Sequence, residues 1–345
     1  MQYVAGTLLT IDGPIDGYIA FDNQKVLEYG EGKPAGVPIA EGWIIPSLVN
    51  AHTHIGDTFI RKKYRSLPHN IEQLVAPPSG LKHKALQQAS KRIIINGMTQ
   101  SLDYMIQEGI GEYWDFREGG LKGLQILEKA QQNHPINGTI FARPSTLEYH
   151  NQEVEQLLVK AQGIGVSSIS DWEEEQLHDL ASHVHNRKKR FAIHASERIR
   201  EDIHTILSLS PLFVIHMVKG TAKDYKELVE HNVPVVICPR SNMFFGLQPP
   251  LKMMKKQGVK LLLGTDNAML HYPSIIEEMR YILQHWSVFT EQELLHMITY
   301  TPRKVLNPEA DIPFPTQQSD FVVLEKKTLE PLFVSRFKQD GYHED

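Results

Sequence analysis

The sequence predicts an α/β chain built as a (β/α)8 (TIM) barrel, with a small β-sandwich-like domain formed by both termini. Three observations predict it. Eight short apolar runs recur between Trp43 and Gly264, segments with helical spacing and charged faces separate them, and both ends of the chain abandon that alternation for short strands and turns. Strict strand–helix alternation calls for a parallel sheet with helical crossovers. Eight repeats over roughly 250 residues fit a barrel better than an open doubly wound sheet. No glycine-rich phosphate loop follows the first run, which lowers the open nucleotide-binding alternative further.

Taken in order, Thr7–Ile11 and Gly17–Phe21 read as strand-like pieces broken by Asp-Gly and Gly-Pro turn signals. The barrel runs are Trp43–Ala51, Gly111–Phe116, Gly138–Pro144, Ile164–Ser170, Arg190–His194, Leu212–His216, Val235–Cys238 and Val259–Gly264. Helical spacing marks Lys84–Glu108, Leu121–Gln132, Glu153–Gln162, Glu173–Lys188, Ala222–Glu230 and Ile275–Trp286. In Leu121–Gln132 the apolar Leu121, Leu124, Ile126 and Leu127 cluster on one side, as a helix packed on a sheet requires. Asp320–Leu324 is a further strand, followed by Lys326, Lys327 and a polar tail. This divides the chain into 1–42 with 306–345 as the terminal β domain and 43–305 as the barrel. Gly56–His83, with Pro68, Pro77, Pro78 and Gly80, is the longest stretch without an obvious element. Long loops in compact domains tend to be functional. It leaves the carboxyl end of the first barrel strand, so it is the expected lid.

Composition sets an ordinary background. A chain of 345 residues with 41% apolar content can bury a large core. A net charge of −5 gives no global attraction to nucleic acid or anionic membrane. A single cysteine, Cys238, excludes an internal disulfide and suits a reducing compartment. No apolar stretch is long enough to span a bilayer, and Met1–Asp12 lacks a charged segment followed by a long apolar one. A soluble, cytoplasmic protein is expected, with no nucleic-acid polymer or membrane as partner and with self-association into a homo-oligomer left open.

The chemistry concentrates at strand ends. The segment Trp43–His54 closes on His52 and His54, one residue apart. Side chains at i and i+2 of a strand share a face, so both imidazoles point the same way. Alone, such a pair is as readily a hydrogen-bonded structural one. Strand 5, however, runs into His194-Ala-Ser-Glu197, strand 6 ends on His216, and strand 8 ends Leu-Leu-Gly-Thr-Asp266. Each of these singly has a plain explanation, as a satisfied core histidine or a helix N-cap. Active sites of such barrels sit at the carboxyl ends of the strands. His52, His54, His194, His216 and Asp266 all land there, and they supply the imidazoles and carboxylate that a borderline-soft divalent ion such as Zn²⁺ takes.

On these residues the chain resembles the amidohydrolase superfamily, the metal-dependent (β/α)8 hydrolases. That family's signature is His-x-His after strand 1, histidines after strands 5 and 6, and Asp after strand 8. The match runs in order over essentially the whole chain. His194-Ala-Ser-Glu197 is similar to the His-x-x-Glu of the cytosine, guanine and S-adenosylhomocysteine/adenosine deaminase branch, as are Cys238-Pro-Arg-Ser-Asn-Met243 and Gly264-Thr-Asp266-Asn. Two departures matter. Binuclear members bridge two metals through a carbamylated strand 4 lysine, and Ile164–Ser170 contains no lysine, so one ion is expected, Zn²⁺ or Fe²⁺. Adenosine-type deaminases carry a tryptophan-leucine stretch after strand 1, and Gly56-Asp-Thr-Phe-Ile-Arg-Lys has none, so substrate identity does not transfer.

The resemblance implies a division of labour. His52, His54, His194 and Asp266 bind the ion, which lowers the pKa of its water toward ~7. Asp266 also takes a proton from that water and passes it to the departing amine, because ammonia leaves well only as NH₃. Glu197 protonates the ring nitrogen beside the attacked carbon, as a non-ligand glutamate does in unrelated zinc deaminases. Its plain alternative is a first-turn carboxylate favoured by the helix dipole. His216 hydrogen-bonds the water or the tetrahedral oxygen instead of binding metal. Asp115, Arg117 and Glu118 stand at the end of strand 2 and Arg143 at the end of strand 3, where they face the pocket or pair among themselves. The arginines suit an anionic part of a substrate. Arg240 and Asn242 follow strand 7 as substrate contacts, Asn267 is equally a turn former, and Trp114 and Phe244-Phe245 are core or pocket wall. The expected activity is an aminohydrolase acting on a nucleobase, nucleoside or related small heterocycle. The alternatives are a ring amidohydrolase or chlorohydrolase on the same site, and a non-catalytic binding protein on the same barrel.

Overall fold

The computed structural model describes residues 1–132 and 134–335. Two sheets organise it. A nine-strand, all-parallel, curled sheet contains Leu48–His54, Ile110–Arg117, Asn137–Ala142, Gly163–Val166, Arg190–Ala195, Phe213–His216, Val235–Ile237, Leu261–Leu263 and Asp266–Asn267. The last two are pieces of one passage of chain. Leu261–Leu263 pairs with Val235–Ile237, whereas Asp266–Asn267 pairs with Thr53–His54 on the other edge. Between the pieces, Gly264 N–H donates to Ile237 and Thr265 N–H to His52. Both edges of the curled sheet are therefore met by a single segment, 261–267. The second sheet has six strands: Gln2–Thr10, Gly13–Phe21, Val26–Glu31 and Ala40–Pro46 from the amino-terminal end, Phe321–Leu324 and Pro331–Val334 from the other.

Several elements differ from their sequence expectation, each for a local reason. The apolar run Trp43–Ala51 is not one strand. Trp43–Pro46 pairs with Phe321–Leu324 in the terminal sheet, and Leu48 begins the parallel sheet. Both halves are apolar because both are buried, so composition hides the switch; Pro46, which has no N–H to continue a ladder, marks it. The segment Lys84–Glu108 divides into helices Leu81–Gln88 and Lys91–Gln107, because Ser90 accepts from Ile93 N–H and starts the second as its N-cap. Pro331–Val334, read as part of a polar tail, is a strand on the edge beside Phe321–Leu324, half exposed and therefore poor in apolar signal. Of the 306–345 assignment, residues 336–345 lie outside the described residues. No described helix is long and apolar enough to cross a membrane.

Packing places the site. Outer faces of the parallel sheet meet amphipathic helices, as where Ile275, Ile276, Met279 and Ile282 of helix Ile275–His285 are buried, each contributing about 1.5–3 kcal/mol. The interior of the curl is filled by a separate cluster that includes Val49, Ala51, Trp114, Phe116, Phe141, Phe213, Ile215 and Leu262. This plug carries the polar side chains on top of it. Val49 and Ala51 belong to the plug, yet His52 and His54 face the cavity above it, a change of phase that a strict two-residue alternation forbids. A register irregularity between Asn50 and Thr53 provides the extra residue.

Candidate metal centre

Four donor atoms converge above the plug. His194 Nε2 lies 3.2 Å from His52 Nε2 and 3.4 Å from His54 Nε2. Asp266 Oδ1 lies 3.4 Å from His52 Nε2 and 3.5 Å from His54 Nε2. Donors about 2.0–2.1 Å from one ion stand roughly 3.3 Å apart at tetrahedral corners, so the four separations fit a single ion. Gly264 permits this closeness. A Cβ there would stand 2.6 Å from His52 Cβ and within 3.0 Å of its backbone, so any other residue would push the Asp266 strand away from His52.

Protonation agrees with a metal. His194 Nδ1 donates to the Val166 carbonyl at 2.8 Å. His54 Nδ1 donates to the Phe116 carbonyl at 3.1 Å and stands 2.7 Å from Glu118 Oε1. These partners only accept, so both Nδ1 atoms carry the proton and both Nε2 atoms present lone pairs to the centre. Burial keeps the rings neutral, pushing His54 down to about 3 and His194 well below its usual value, with neighbouring cations adding to both shifts. Lone pairs and a carboxylate aimed at one another repel unless a cation stands between them. His52 rests edge-on against Phe116, ring centroids 4.6 Å apart, with Nδ1 buried and unpartnered.

A wider grouping substitutes His216 for His54, with its donor atoms within 4.8 Å of one another. Hydrogen bonding separates the two histidines. Asn242 Nδ2 lies 3.1 Å from His216 Nδ1 and donates 3.0 Å to Glu197 Oε1. An amide nitrogen only donates, so His216 Nδ1 accepts and its proton is on Nε2, on the side of Glu197, 3.6 Å away. In that tautomer His216 offers a hydrogen bond, not a ligand lone pair.

Glu197 is half-buried, its side chain 18% exposed, and desolvation raises its pKa; nearby Asp266 raises it further, against His216 and Asn242. With Oε1 held by Asn242, the acid proton belongs on Oε2. Backbone strain marks the same turns. Ser196, His216 and Asp266 have φ of 46°, 75° and 59°, values that non-glycine residues seldom adopt and that concentrate at functional sites.

The remaining predicted residues divide. Arg143 lines the cavity together with His54, Glu197, His216 and Asp266. Asn242 is buried and orients Glu197 and His216. Arg117 and Glu118 do not face that cavity. Arg117 Nη1 lies 3.2 Å from Asp115 Oδ2 and its Nη2 2.5 Å from Glu118 Oε2, stacked where a Cβ on Gly56 would collide with the guanidinium. Arg240 also turns away: its N–H donates to Glu278 Oε2 at 3.0 Å and its Nη1 stands 3.7 Å from Glu278 Oε1. The cause is helical geometry. Helix Pro239–Phe244 starts immediately after strand Val235–Ile237, so Ser241 and Asn242 face inward and Arg240 faces out.

Three residues in the site escaped the sequence reading. Ser241 donates to Asp266 Oδ2 at 2.5 Å and fixes that carboxylate; it lies inside a motif already singled out, between two named neighbours. Lys82, only 2% exposed, reaches from the first turn of helix Leu81–Gln88 to Glu118 Oε1 at 2.5 Å, Asn267 Oδ1 at 2.7 Å and Asp57 Oδ2 at 3.5 Å. Asp57 in turn accepts from Met269 N–H at 2.8 Å. A lone lysine on a polar helix carries no sequence signal for such burial. The segment Gly56–His83, expected to lack regular elements, holds the short helices Ile60–Lys63 and Ile71–Leu74, and with Ile71, Val75 and Pro77 it also walls the metal cavity.

Known proteins agree with this architecture. The model of the amidohydrolase family matches residues 43–334. An uncharacterized protein of Methanocaldococcus jannaschii is 31% identical over 325 residues, covering 88% of this chain and 81% of its own. A protein of Archaeoglobus fulgidus that carries a provisional aminohydrolase name is 32% identical over 282 residues, covering 81% of this chain and 79% of its own. Among solved structures, the zinc complex of atrazine chlorohydrolase from Arthrobacter aurescens superposes with a TM-score of 0.72 at 14% identity, covering all of this chain and 90% of that one. The guanine deaminase of C. acetobutylicum gives 0.70 at 15% identity, covering 94% and 90%. Those two likenesses establish a shared fold. With a histidine–aspartate centre built for a divalent ion and a family match across most of its length, the chain belongs to the amidohydrolase family.

Proposed function

We propose that this protein is a mononuclear, metal-dependent aminohydrolase that releases ammonia from an exocyclic amine on a nucleobase, nucleoside or related aromatic nitrogen heterocycle. The barrel that carries the site is read as closed, because segment 261–267 bonds on both sides. His52, His54, His194 and Asp266 are the proposed ligands of one ion, with Zn²⁺ or Fe²⁺ suiting the donor set. That ion supplies a nucleophile at neutral pH by lowering the pKa of its bound water to about 7.

One observation carries the reading: a half-buried carboxyl with a raised pKa, Glu197, stands beside the four proposed ligands without being one of them. Such a group holds its proton to higher pH than an ordinary glutamate and delivers it to a ring nitrogen next to the attacked carbon. Asp266 moves the other proton. It accepts one as water adds to the ring carbon and returns it to the exocyclic nitrogen as the C–N bond breaks and ammonia leaves. Ser241 holds Asp266 in place for that exchange, and Asn242 holds Glu197. His216 Nε2–H stabilises the oxygen on the tetrahedral carbon. Arg143 is the proposed substrate contact. Arg117 and Glu118 are held in ion pairs at the wall of an adjoining cavity, and Arg240 is held against Glu278.

Ammonia release from cytosine, adenine, guanine, their nucleosides and S-adenosylhomocysteine tests the reaction, beside hydantoin, dihydropyrimidine and chlorotriazine controls. Turnover of an exocyclic amine by metal-loaded protein is expected. Turnover confined to the controls would refute deamination and promote the ring-amide or carbon–halogen hydrolase.

A further inference from the structure

The metal cavity is small, about 120 Å³, room for about ten water-sized atoms, which is one small ring system. A second cavity of about 470 Å³ adjoins it. The two share Arg143 and Pro77 in their walls. Beyond Arg143 the larger chamber has an apolar floor of Leu86, Ile94, Met98, Ile126 and Leu147, with the paired Arg117 and Glu118 and the cations Lys91 and Lys122 also in its wall; they come from helices Leu81–Gln88, Lys91–Gln107 and Gly120–Gln131, from the end of strand Ile110–Arg117 and from the turn after strand Asn137–Ala142. Its size falls in the range of ligand sites, which are mainly apolar with a few polar groups that fix orientation.

Arg143 stands at the junction in an unusual state. It is 8% exposed, its Nε is buried without a hydrogen-bond partner, and no side chain among the described residues pairs with its guanidinium. The neighbouring Arg117 is neutralised by Asp115 and Glu118, and Lys82 by Glu118 and Asp57. Arg143 is thus the cation shared by the two cavities that makes no ion pair with a described carboxylate, Glu118, Asp171 and Asp266 acting on it only at longer range. A buried, unpaired guanidinium is costly unless an anion meets it, and its planar fork matches a carboxylate or phosphate.

We infer that the substrate has two parts: a base-sized ring held at the metal cavity, and a side arm that places an anionic group on Arg143 and an apolar end in the adjoining chamber. This rests on the reading of the metal cavity as the site of reaction, and it adds a substrate class to it. A bare nucleobase would fill the first cavity and leave both Arg143 and the chamber without a partner. The junction selects for a negative charge and the chamber for hydrocarbon beyond it, so neutral or purely polar arms are the poorer substrates.

Calorimetric binding of 3-phenylpropionate to the metal-loaded full chain tests the chamber without turnover, with the uncharged 3-phenylpropionamide as control. The acid should bind about 10-fold or more tighter than the amide, the worth of one hydrogen-bonded charge. Arg143→Met should erase that difference. Leu147→Trp, and separately Ile126→Trp, should weaken both probes about tenfold with metal content unchanged; two filling variants are used in case one misfolds. Equal binding of acid and amide to wild type, unchanged binding in the filled variants, or no binding at millimolar concentration would each overturn the proposal. Ammonia release from a bare ring with no probe binding would sink the chamber and leave the aminohydrolase reading intact. Probe binding without ammonia release from any heterocycle would do the reverse.

Discussion

The exits of strands Ile110–Arg117 and Asn137–Ala142 and the exits of strands Arg190–Ala195 through Asp266–Asn267 carry similar residues and use them in opposite ways. At the later exits His194, Glu197, His216 and Asp266 turn into the cavity, steadied by Val166, Asn242 and Ser241. At the earlier ones Asp115, Arg117 and Glu118 pair with one another and with Lys82 and His54. Arg143 alone there makes no ion pair with a described carboxylate. A charged residue at a strand end is available for chemistry only where the fold withholds its partner. On the proposed reading the earlier exits are a buried ionic support for the proposed ligand His54, and the later ones carry the proposed reacting groups.

Several measurements can break or sharpen that contrast. Glu197→Gln keeps the shape and removes the acid, so turnover should fall by about 10²–10⁴-fold with metal retained; loss of metal instead would make Glu197 a ligand. The same variant checks the pH profile. Burial raises the carboxyl, so its acid form persists to higher pH than an ordinary glutamate's. In wild type kcat/KM should decline as pH rises through that raised pKa, and in Glu197→Gln this basic limb should vanish.

The support predicts a different signature. Arg117→Leu leaves Asp115 and Glu118 buried without their common cation, which should cost about 3–5 kcal/mol in a denaturant melt. A near-neutral result would mean that the arginine is free for substrate after all. Lys82→Met acts through Glu118 on His54, and outer partners of metal-binding histidines are worth about 10–100-fold in metal affinity. The expected loss should largely disappear in a Glu118→Gln background; additive losses would deny the relay from Lys82 through Glu118 to His54.

Legibility in the sequence followed the same divide. Residues that end apolar runs, such as His194, His216 and Asp266, were visible because burial of the strand leaves an alternation of chain chemistry that a single polar residue interrupts. His52 and His54 were visible as a pair, though the register irregularity that turns them into the cavity was not, since a bulge changes no residue type. The division of Trp43–Ala51 between two sheets was hidden because both halves are equally buried. The ion pairs that hold Arg117, Glu118 and Arg240 were hidden because a sequence shows a charge and not its partner. Lys82 and Ser241 were missed for the complementary reason: their roles depend on which atoms the folded loop and helix bring within 3 Å, at Glu118, Asn267 and Asp266.

The division between ligand and hydrogen-bond donor is tested most directly by metal analysis of three proteins, each loaded and passed through a desalting column. Wild type should carry one divalent ion per chain. His54→Ala should lose it, because His54 Nε2 is a corner of the donor set, whereas His216→Ala should retain it and lose turnover. Retention by His54→Ala together with loss by His216→Ala, or two ions in the wild type, would contradict the account.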